Sequence, residues 1–343
     1  METQTITLHA VPRDRGLSTA CATLFVLAVT LALSSQIARA DSAPQKHDVQ
    51  QLRSDAVARL DRSLNRGIGL FIAEEATQEE NWGFTLTGLV PTLYNSNAEQ
   101  DPSDGTESFE WNPEVRLGWT RQLPNSINVS ALVDVNSDRY PHVSGANTDA
   151  SYGRFRVQRI TGHDDQEFQP FLEYSPRLIF TPFFDHNSAT SHDLRLGTDK
   201  IYNFDGSWRP VVHKPNTSGE TIWSLALTAD LWRRHTNSGP SSTRVEIDPS
   251  LTCYPPGKPW SVSFEVDVLP TWYDQSTDGS HYATSTTAIF TYEYAPMAWS
   301  WDKQNRTLKI DFQIVYARVD SADVSITSKQ WTIGPVIKGA MSF

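Results

Sequence analysis

One short stretch of the chain has the residue types of a catalytic dyad. His186 and Ser188 stand two positions apart in Asp185-His186-Asn187-Ser188. Residues two apart in a β-strand project from the same face, which brings a base and a nucleophile within plausible hydrogen-bond reach. Asp185 and Asp193 are near in sequence, but neither is an evident orienting residue. Two-residue patterns arise readily by chance, so we keep hydrolysis as an alternative function.

Charged residues at alternate positions are the stronger chemical signal. In the stretch around Val266, the odd positions Glu265 and Asp267 alternate with apolar even positions. A dry core does not tolerate charges this dense unless they are paired, so the pattern predicts a wet lumen or a filled, salt-bridged one. The charged residues that share this inward parity are Glu110, Glu114, Arg116, Asp134, Arg154, Arg156, Glu173, Arg177, Asp230, Arg234, Arg244, Glu246, Asp248, Glu265, Asp267, Lys309 and Asp311.

Other site chemistries are poorly supported by the sequence. Most of the chain's nine histidines fall in predicted loops, and no pair has a metal-ligand spacing such as H-x-x-x-H. The acidic run 101–107 does not fit the spacing of a calcium-binding EF-hand loop. The formal net charge of −11 argues against nucleic acid as a partner. We therefore expect no metal site, no cofactor and no nucleic-acid partner.

The elements that would position these charges are β-strands. From Trp82 onward the hydrophobic period is two, which indicates strands with two different faces. Short turns alternate with longer loops rich in Asp, Ser, Gly and Asn, except that 204–219 is long where a short turn is expected. The twelve predicted strands are 82–94, 109–121, 126–136, 150–161, 168–181, 192–203, 220–234, 243–254, 260–273, 283–294, 306–317 and 329–343.

Tryptophan placement distinguishes a membrane barrel from a soluble β-sandwich. Seven tryptophans fall at predicted strand ends, whereas a soluble core would bury several in mid-strand. Two membrane interfaces favour amphipathic rings at two levels, so the pattern predicts a double aromatic girdle. The tryptophans at one set of ends are Trp82, Trp119, Trp223 and Trp260, and those at the other set are Trp111, Trp272 and Trp331.

The last stretch, 330–343, has an aromatic residue at each end of one apolar face. That face carries Trp331, Ile333, Ile337, Met341 and Phe343, and the residues between them are small or polar. The stretch resembles the terminal strand of Gram-negative outer-membrane β-barrels, a resemblance to a superfamily and not to one protein. It implies an all-β, antiparallel up-and-down transmembrane barrel, and the twelve predicted segments give it about twelve strands.

The same resemblance implies partners and a location. The assembly signal, Phe343 with Met341 and Trp331, would be read by the barrel-assembly machinery. The barrel would contact outer-membrane lipids and lipopolysaccharide, and an even strand number would leave both termini periplasmic. The His186-x-Ser188 pair is in turn similar to that of outer-membrane phospholipase A and lipid A deacylase, although Ala189-Thr190 replaces the Asn-Gly that often follows.

The N-terminal residues divide into two further parts. Residues 1–40 have a basic start, an apolar run over 20–33 and Ala38-Arg39-Ala40, which together predict a signal peptide. Residues 41–81 are polar, with Val49, Leu52, Ala56, Leu60 and Leu64 near helical spacing. We expect a short amphipathic helix over 48–64, in a mobile periplasmic tail, a plug or an oligomerising coil. The barrel itself would occupy 82–343.

These observations favour a porin-like channel for small hydrophilic solutes. Basic residues Arg154, Arg156 and Arg177 would form one wall of the lumen, a third of the circumference from an acidic wall that includes Glu265 and Asp267. The alternatives are a lipid hydrolase that uses His186 and Ser188, and a closed structural or adhesive barrel whose interior charges pair and seal it.

Overall fold

The computed structural model describes residues 82–98, 105–159, 166–208, 222–237, 241–256, 258–274, 282–295, 306–321 and 327–342. The predicted signal peptide, the segment 41–81 with its helix, and Phe343 lie outside the described residues. Among the described residues, none forms a helix long and apolar enough to cross a membrane.

Thirteen β-strands follow one another along the described chain. They are β1 (Trp82–Asn95), β2 (Ser108–Trp111), β3 (Glu114–Leu123), β4 (Ile127–Asp138), β5 (Thr148–Arg159), β6 (Gln166–Phe180), β7 (Asn187–Phe204), β8 (Trp223–Thr236), β9 (Ser242–Cys253), β10 (Trp260–Tyr273), β11 (Tyr282–Tyr294), β12 (Arg306–Ser321) and β13 (Ser328–Ser342).

Strands β2 and β3 are two parts of one barrel strand. Both pair with β1, β2 through Thr92↔Trp111 and β3 through Leu89↔Glu114. The ladder is interrupted at Asn112 and Pro113, where proline has no N–H to donate to the neighbouring strand. The thirteen strands therefore make a sheet of twelve barrel strands.

The sheet closes on itself. Each barrel strand pairs antiparallel with its neighbour in sequence, and β13 pairs with β1 from Thr85↔Ser342 to Asn95↔Thr332. Closure satisfies the backbone groups of both edge strands, which is what allows a sheet to lie in lipid. The predicted fold, an all-β antiparallel barrel of about twelve strands, is confirmed.

The outer surface of the barrel is apolar over a broad band. Large aliphatic and aromatic side chains on alternate positions are exposed on almost every strand. A soluble monomer rarely exposes so much contiguous apolar surface, so this band is suited to contact with lipid. Its exposed members include Leu86, Val115, Val135, Phe155, Leu172, Leu194, Leu196, Leu227, Leu231, Ile247, Phe264, Phe290, Ile310, Phe312, Ile333 and Ile337.

Aromatic rings border the band at both rims. At the rim where β1 begins, Trp208 stacks on Trp223 with ring centroids 5.1 Å apart. At the opposite rim, Tyr316 and Trp331 have centroids 4.7 Å apart. Trp232 is different, because it lies within β8 and is buried inside the barrel. Trp232 is therefore not part of either predicted aromatic rim.

The turn between β6 and β7 is tighter than predicted. Strand β7 begins at Asn187, five residues before the predicted start at 192. The polar run 187–191 lacks apolar alternation, which explains why its strand character was missed. Phe183 and Phe184 take left-handed backbone conformations in this turn, and the Phe184 N–H donates to Asp149 at 3.0 Å.

Candidate functional site

The interior of the barrel is densely charged, and the predicted inward residues lie there. Fourteen of the seventeen are buried, and the other three, Arg154, Arg156 and Glu265, are half-buried. The fourteen buried residues are Glu110, Glu114, Arg116, Asp134, Glu173, Arg177, Asp230, Arg234, Arg244, Glu246, Asp248, Asp267, Lys309 and Asp311.

Arg195 on β7 is the hub of this charged interior, although it was not among the predicted interior residues. One guanidinium nitrogen lies 3.3 Å from a Glu173 carboxylate oxygen on β6. The other donates to Asp230 on β8 and, at 2.5 Å, to Glu246 on β9. Arg195 is almost fully buried, so a single cation joins carboxylates from three strands out of contact with bulk water.

Gly197 helps to explain how Asp230 comes within reach of Arg195. Gly197 pairs with Asp230 across the β7–β8 ladder. A Cβ added to Gly197 would lie 2.6 Å from the Ala229 carbonyl oxygen and would overlap the Asp230 side chain. The absence of a side chain therefore leaves the space that Asp230 occupies beside the hub.

Trp232 supplies an aromatic face for the same cations. It lies between Arg195 and Arg244 in the strand register. The guanidinium carbons of Arg195, Arg234 and Arg244 lie 4.9, 5.1 and 5.2 Å from its ring centroid. A ring face attracts cations electrostatically, most strongly where water is excluded. A buried tryptophan on this face of β8 therefore stabilises a cluster of cations.

The charged network continues onto β5. Arg156 donates to Glu173 at 2.7 Å and to Asp199 at 3.0 Å. Its guanidinium also lies 4.0 Å from the centre of the Phe171 ring. Arg156 and Arg195 therefore share Glu173 from opposite sides, and the ion pairs run without a break from β5 to β9.

This network links the two predicted walls of the lumen, the basic one and the acidic one, which were expected to face each other across it. Glu173 belongs to the group on β5 and β6, and Glu246 belongs to the acidic group on β9 and β10. Arg195 pairs with both of them, so the two groups are linked along the wall by β7 and β8. Further interior ion pairs join Arg116 to Glu114 and Asp134, Arg234 to Asp193, Lys309 to Glu293, and Lys338 to Asp311.

An apolar cluster also lines the interior, beside the ion pairs of Lys309 and Lys338. Leu89, Leu93, Ile289, Val315 and Val336 form one buried cluster on β1, β11, β12 and β13. We call these five residues the interior apolar sector. It was not predicted, because these strands carry apolar residues on both faces and the period of two then does not distinguish the inner face from the outer one.

Three interior carboxylates lie close enough to share a cation. One oxygen each from Glu246, Asp248 and Asp267 lies within 4.8 Å of the others, and all three residues are buried. Glu246 also accepts a hydrogen bond from Arg195, which already places a positive charge at the group. We assign no metal to it.

The predicted dyad is not assembled at the rim of the barrel. The Ser188 hydroxyl donates to the Ile179 carbonyl oxygen at 3.1 Å, and His186 Nδ1 lies 2.6 Å from Asp185. The His186 side chain is 77 % exposed and projects into solvent. His186 and Ser188 thus bond to other residues and not to each other. In this arrangement His186 cannot activate Ser188 as a nucleophile.

A pair of histidines lies nearby on the outer surface. His192 and His235 face each other across the β7–β8 ladder, and His192 Nδ1 lies 2.8 Å from the Tyr174 hydroxyl. No sequence signal linked these residues, because they belong to three different strands. The Ser241 hydroxyl lies 3.1 Å from His235 Nδ1, so each ring of the pair has a hydroxyl partner. We assign the cluster no catalytic role.

Comparison with known proteins gives structural likeness alone. No family model matches the chain, and no curated protein matches it. The translocator domain of the autotransporter NalP from Neisseria meningitidis is similar over 88% of this chain and 100% of its own, with a TM-score of 0.47 and 10% identity.

Two further solved structures are similar at comparable levels. An outer-membrane channel from Pseudomonas putida F1 has a TM-score of 0.46 and 9% identity, over 76% of this chain and 95% of its own. The KdgM porin in complex with disordered oligogalacturonate has a TM-score of 0.38 and 9% identity, over 76% and 99%. The similar structures are outer-membrane β-barrels, and no specific family is identified.

Proposed function

We propose that the chain is an outer-membrane channel for small hydrophilic solutes. The observation that carries the proposal is the inverted polarity of the barrel. Exposed aliphatic and aromatic side chains cover the outside, while arginine, aspartate and glutamate side chains cover much of the inside. A water-soluble protein has the opposite arrangement, and a barrel in lipid around a polar path has this one.

The apolar band and its two aromatic rims support placement in a bilayer. Tryptophan and tyrosine are favoured at the level of lipid headgroups, and both rims carry them, as in the pairs Trp208–Trp223 and Tyr316–Trp331. In the proposed orientation the rim where β1 begins faces the periplasm, together with both termini. Outer-membrane lipids and lipopolysaccharide would surround the band, and the barrel-assembly machinery would insert it.

The proposed solute path follows the charged side of the interior. Arg154, Arg156 and Glu265 are the half-buried members of the predicted set. Acidic and basic groups both line this side, so a channel here would pass ions of either sign with weak preference. The charged groups of such a wall can take over hydrogen bonds that a small hydrophilic solute makes with water. Solutes of this class are therefore the ones proposed to pass.

A closed, salt-bridged barrel is the second candidate. The burial of Arg195 among Glu173, Asp230 and Glu246 favours it, because that part of the interior leaves little room for water. A barrel sealed in this way would serve as a structural scaffold or present its loops to a partner.

Single-channel recording separates the two candidates. The full-length protein would be refolded, checked by heat modifiability on gels, and added to a planar bilayer. Discrete current steps are expected for the channel. Folded and inserted protein that passes no current would exclude the channel and leave the closed barrel.

A further inference from the structure

We propose that His192 and His235 together bind a divalent transition-metal ion, such as zinc, on the outer surface of the barrel. The two residues lie on neighbouring strands, near the rim where β7 begins and β8 ends. Three features support the site: the strand register, the hydrogen bonds of the two rings, and their exposure. The site belongs to the barrel wall, and it does not depend on whether the barrel conducts.

Strand pairing brings the two histidines together. His192 is the Cα partner of His235 in the antiparallel ladder of β7 and β8. Side chains directly opposite each other in such a ladder project from the same face, with Cβ atoms about 4.5–5.5 Å apart. Two imidazole rings at this separation can each direct one nitrogen at a shared ion, since a zinc–nitrogen bond is about 2.0–2.1 Å long. Pairing across strands thus replaces the H-x-x-x-H spacing that the sequence lacks.

Each ring is held at Nδ1 by a hydroxyl group. His192 Nδ1 lies 2.8 Å from the Tyr174 hydroxyl, and His235 Nδ1 lies 3.1 Å from the Ser241 hydroxyl. A histidine that binds a metal through Nε2 almost always donates its Nδ1–H to an oxygen or to water, which fixes the tautomer and the ring orientation. A hydroxyl oxygen can accept that hydrogen bond. Among the described residues neither Nε2 has a hydrogen-bond partner, so both nitrogens are available to an ion.

Both rings are accessible from outside the barrel. His235 is exposed and His192 is half-buried. The ring of Tyr174 lies nearly parallel to that of His192, with an angle of 6° between the planes, which restricts how His192 can turn. Leu194, two positions further along the same face of β7, is exposed and apolar. The pair therefore lies at the edge of the apolar band, where a bound ion can keep water in its other coordination positions.

The chemistry of the ligands selects the class of ion. Imidazole nitrogen suits zinc, copper and nickel, whereas calcium and magnesium are bound by oxygen. One cation shares this face of β8, since Arg233 lies two positions from His235. Arg233 donates to the Asp274 carboxylate at 2.7 Å. Because that carboxylate offsets the charge of the guanidinium, Arg233 opposes the approach of a metal cation only weakly.

Chemical modification tests the site in the wild-type protein. Diethyl pyrocarbonate acylates imidazole nitrogens that hold no metal, and mass spectrometry of the refolded, tag-free, full-length barrel reports each histidine separately. Zinc should slow the modification of His192 and His235, and calcium should not. His186 is the internal control, because it lies at the same rim with its side chain 77 % exposed and its Nδ1 beside Asp185. Equal protection of His186 and the pair, or no protection of the pair, would overturn the proposal.

Substitutions test whether the two rings act together through their hydroxyl partners. Tyr174→Phe keeps the ring and removes the hydroxyl, and it should weaken zinc binding by about tenfold, the lower end of the range for loss of a hydrogen bond to a metal ligand. His192→Gln and His235→Gln should each weaken it further, and His186→Gln should bind as wild type does. Equilibrium dialysis of variants that are folded by heat modifiability measures the affinities. Unchanged affinity in both variants of the pair would exclude the site.

A bound ion would join β7 to β8 at the rim, which gives a second and independent measurement. The folded barrel holds the two rings opposite each other and the unfolded chain does not, so zinc should stabilise the fold by mass action. The midpoint of urea unfolding should rise with zinc concentration in wild type, and it should stay constant in the double variant His192→Gln with His235→Gln. An equal rise in the double variant would assign the effect to other histidines and overturn the proposal.

Discussion

Arg195 and Glu246 form a hydrogen bond of 2.5 Å although β8 lies between the strands that carry them. The contact is possible because the guanidinium extends over β8, where it also binds Asp230 and lies beside the ring of Trp232. A cation that joins three strands opposes local changes in the sheet, because movement of any of them separates buried opposite charges.

Replacement of Arg195 tests this role in stability. Arg195→Ala leaves Asp230 and Glu246 without their shared cation, and removal of one partner of a buried pair costs about 3–5 kcal/mol. Equilibrium unfolding in urea, followed by tryptophan fluorescence of the refolded barrel, measures the change.

The matched control is Arg233, which lies on the outer surface and pairs with Asp274. This pair is exposed, and its hydrogen bond lowers the pKa of the Asp274 carboxyl below its ordinary value. Arg233→Ala should change the free energy of unfolding by about 1 kcal/mol or less, the usual range for surface pairs. Similar losses for both variants would contradict the hub.

Two separate substitutions by arginine test which side chains of β10 point outward and which point inward. Val266 lies on the outward parity and Glu265 on the inward one. Val266→Arg should destabilise the barrel by about 2–4 kcal/mol, the cost of an arginine at the middle of the bilayer. Glu265→Arg should cost far less. Equal costs, measured by unfolding in lipid vesicles, would contradict the membrane placement.

Gly197 should tolerate no side chain. Gly197→Ala would push a methyl group against Asp230 and the Ala229 carbonyl oxygen, and forced overpacking typically costs about 1–3 kcal/mol. Gly88→Ala is the control, because a Cβ there meets nothing within 4 Å. The same urea unfolding measures both, and an unchanged stability of Gly197→Ala would show that β7 and β8 can separate at this point.

Ion selectivity tests whether the interior charges line a conducting path. Arg154→Ala with Arg156→Ala removes two positive charges and should shift the channel toward cations. Glu265→Gln with Asp267→Asn should shift it toward anions. Reversal potentials in a planar bilayer under a salt gradient measure both shifts, which should shrink at 1 M salt, where the Debye length is about 3 Å. Unchanged potentials in both variants would place these residues away from the path.

The hydrolase alternative predicts a measurable product. Ser188 donates its hydroxyl to Ile179 and lacks the hydrogen bond to His186 that a nucleophile would need. We therefore expect purified protein to release no fatty acid from phospholipid or lipid A. Release that is abolished by Ser188→Ala would establish an enzyme and replace the channel as the leading function.

Much of the fold was predictable from the period of two. Alternation placed Glu246 and Asp267 on the inside and Phe264 on the outside, because lipid and the interior select opposite residue types. The split between β2 and β3 was not predicted, since it depends on how Pro113 interrupts pairing with β1. The start of β7 at Asn187 was missed because its first residues are polar on both faces.

The parts of the interior that escaped prediction depend on contacts across strands. Arg195 belongs to a weakly alternating strand, and its importance appears only when Glu173, Asp230 and Glu246 come together around it. Trp232 is an apolar residue, so alternation alone would not predict it on the charged inner face. It lies there because its ring faces the guanidiniums. Pairing partners across a sheet are set by register and curvature, which one sequence does not reveal.

The seam between β13 and β1 has a kinetic consequence. It joins Thr85 to Ser342, so the contact that closes the barrel is also among the most distant in sequence. Joining such distant segments lowers the entropy of the chain before the strand pairing contributes its favourable free energy. The closing step is therefore slow. Until the seam forms, the apolar band and two unpaired edges are open to other chains. On the proposed route to the outer membrane, a chaperone that holds the unclosed sheet should therefore raise the yield of folded barrel.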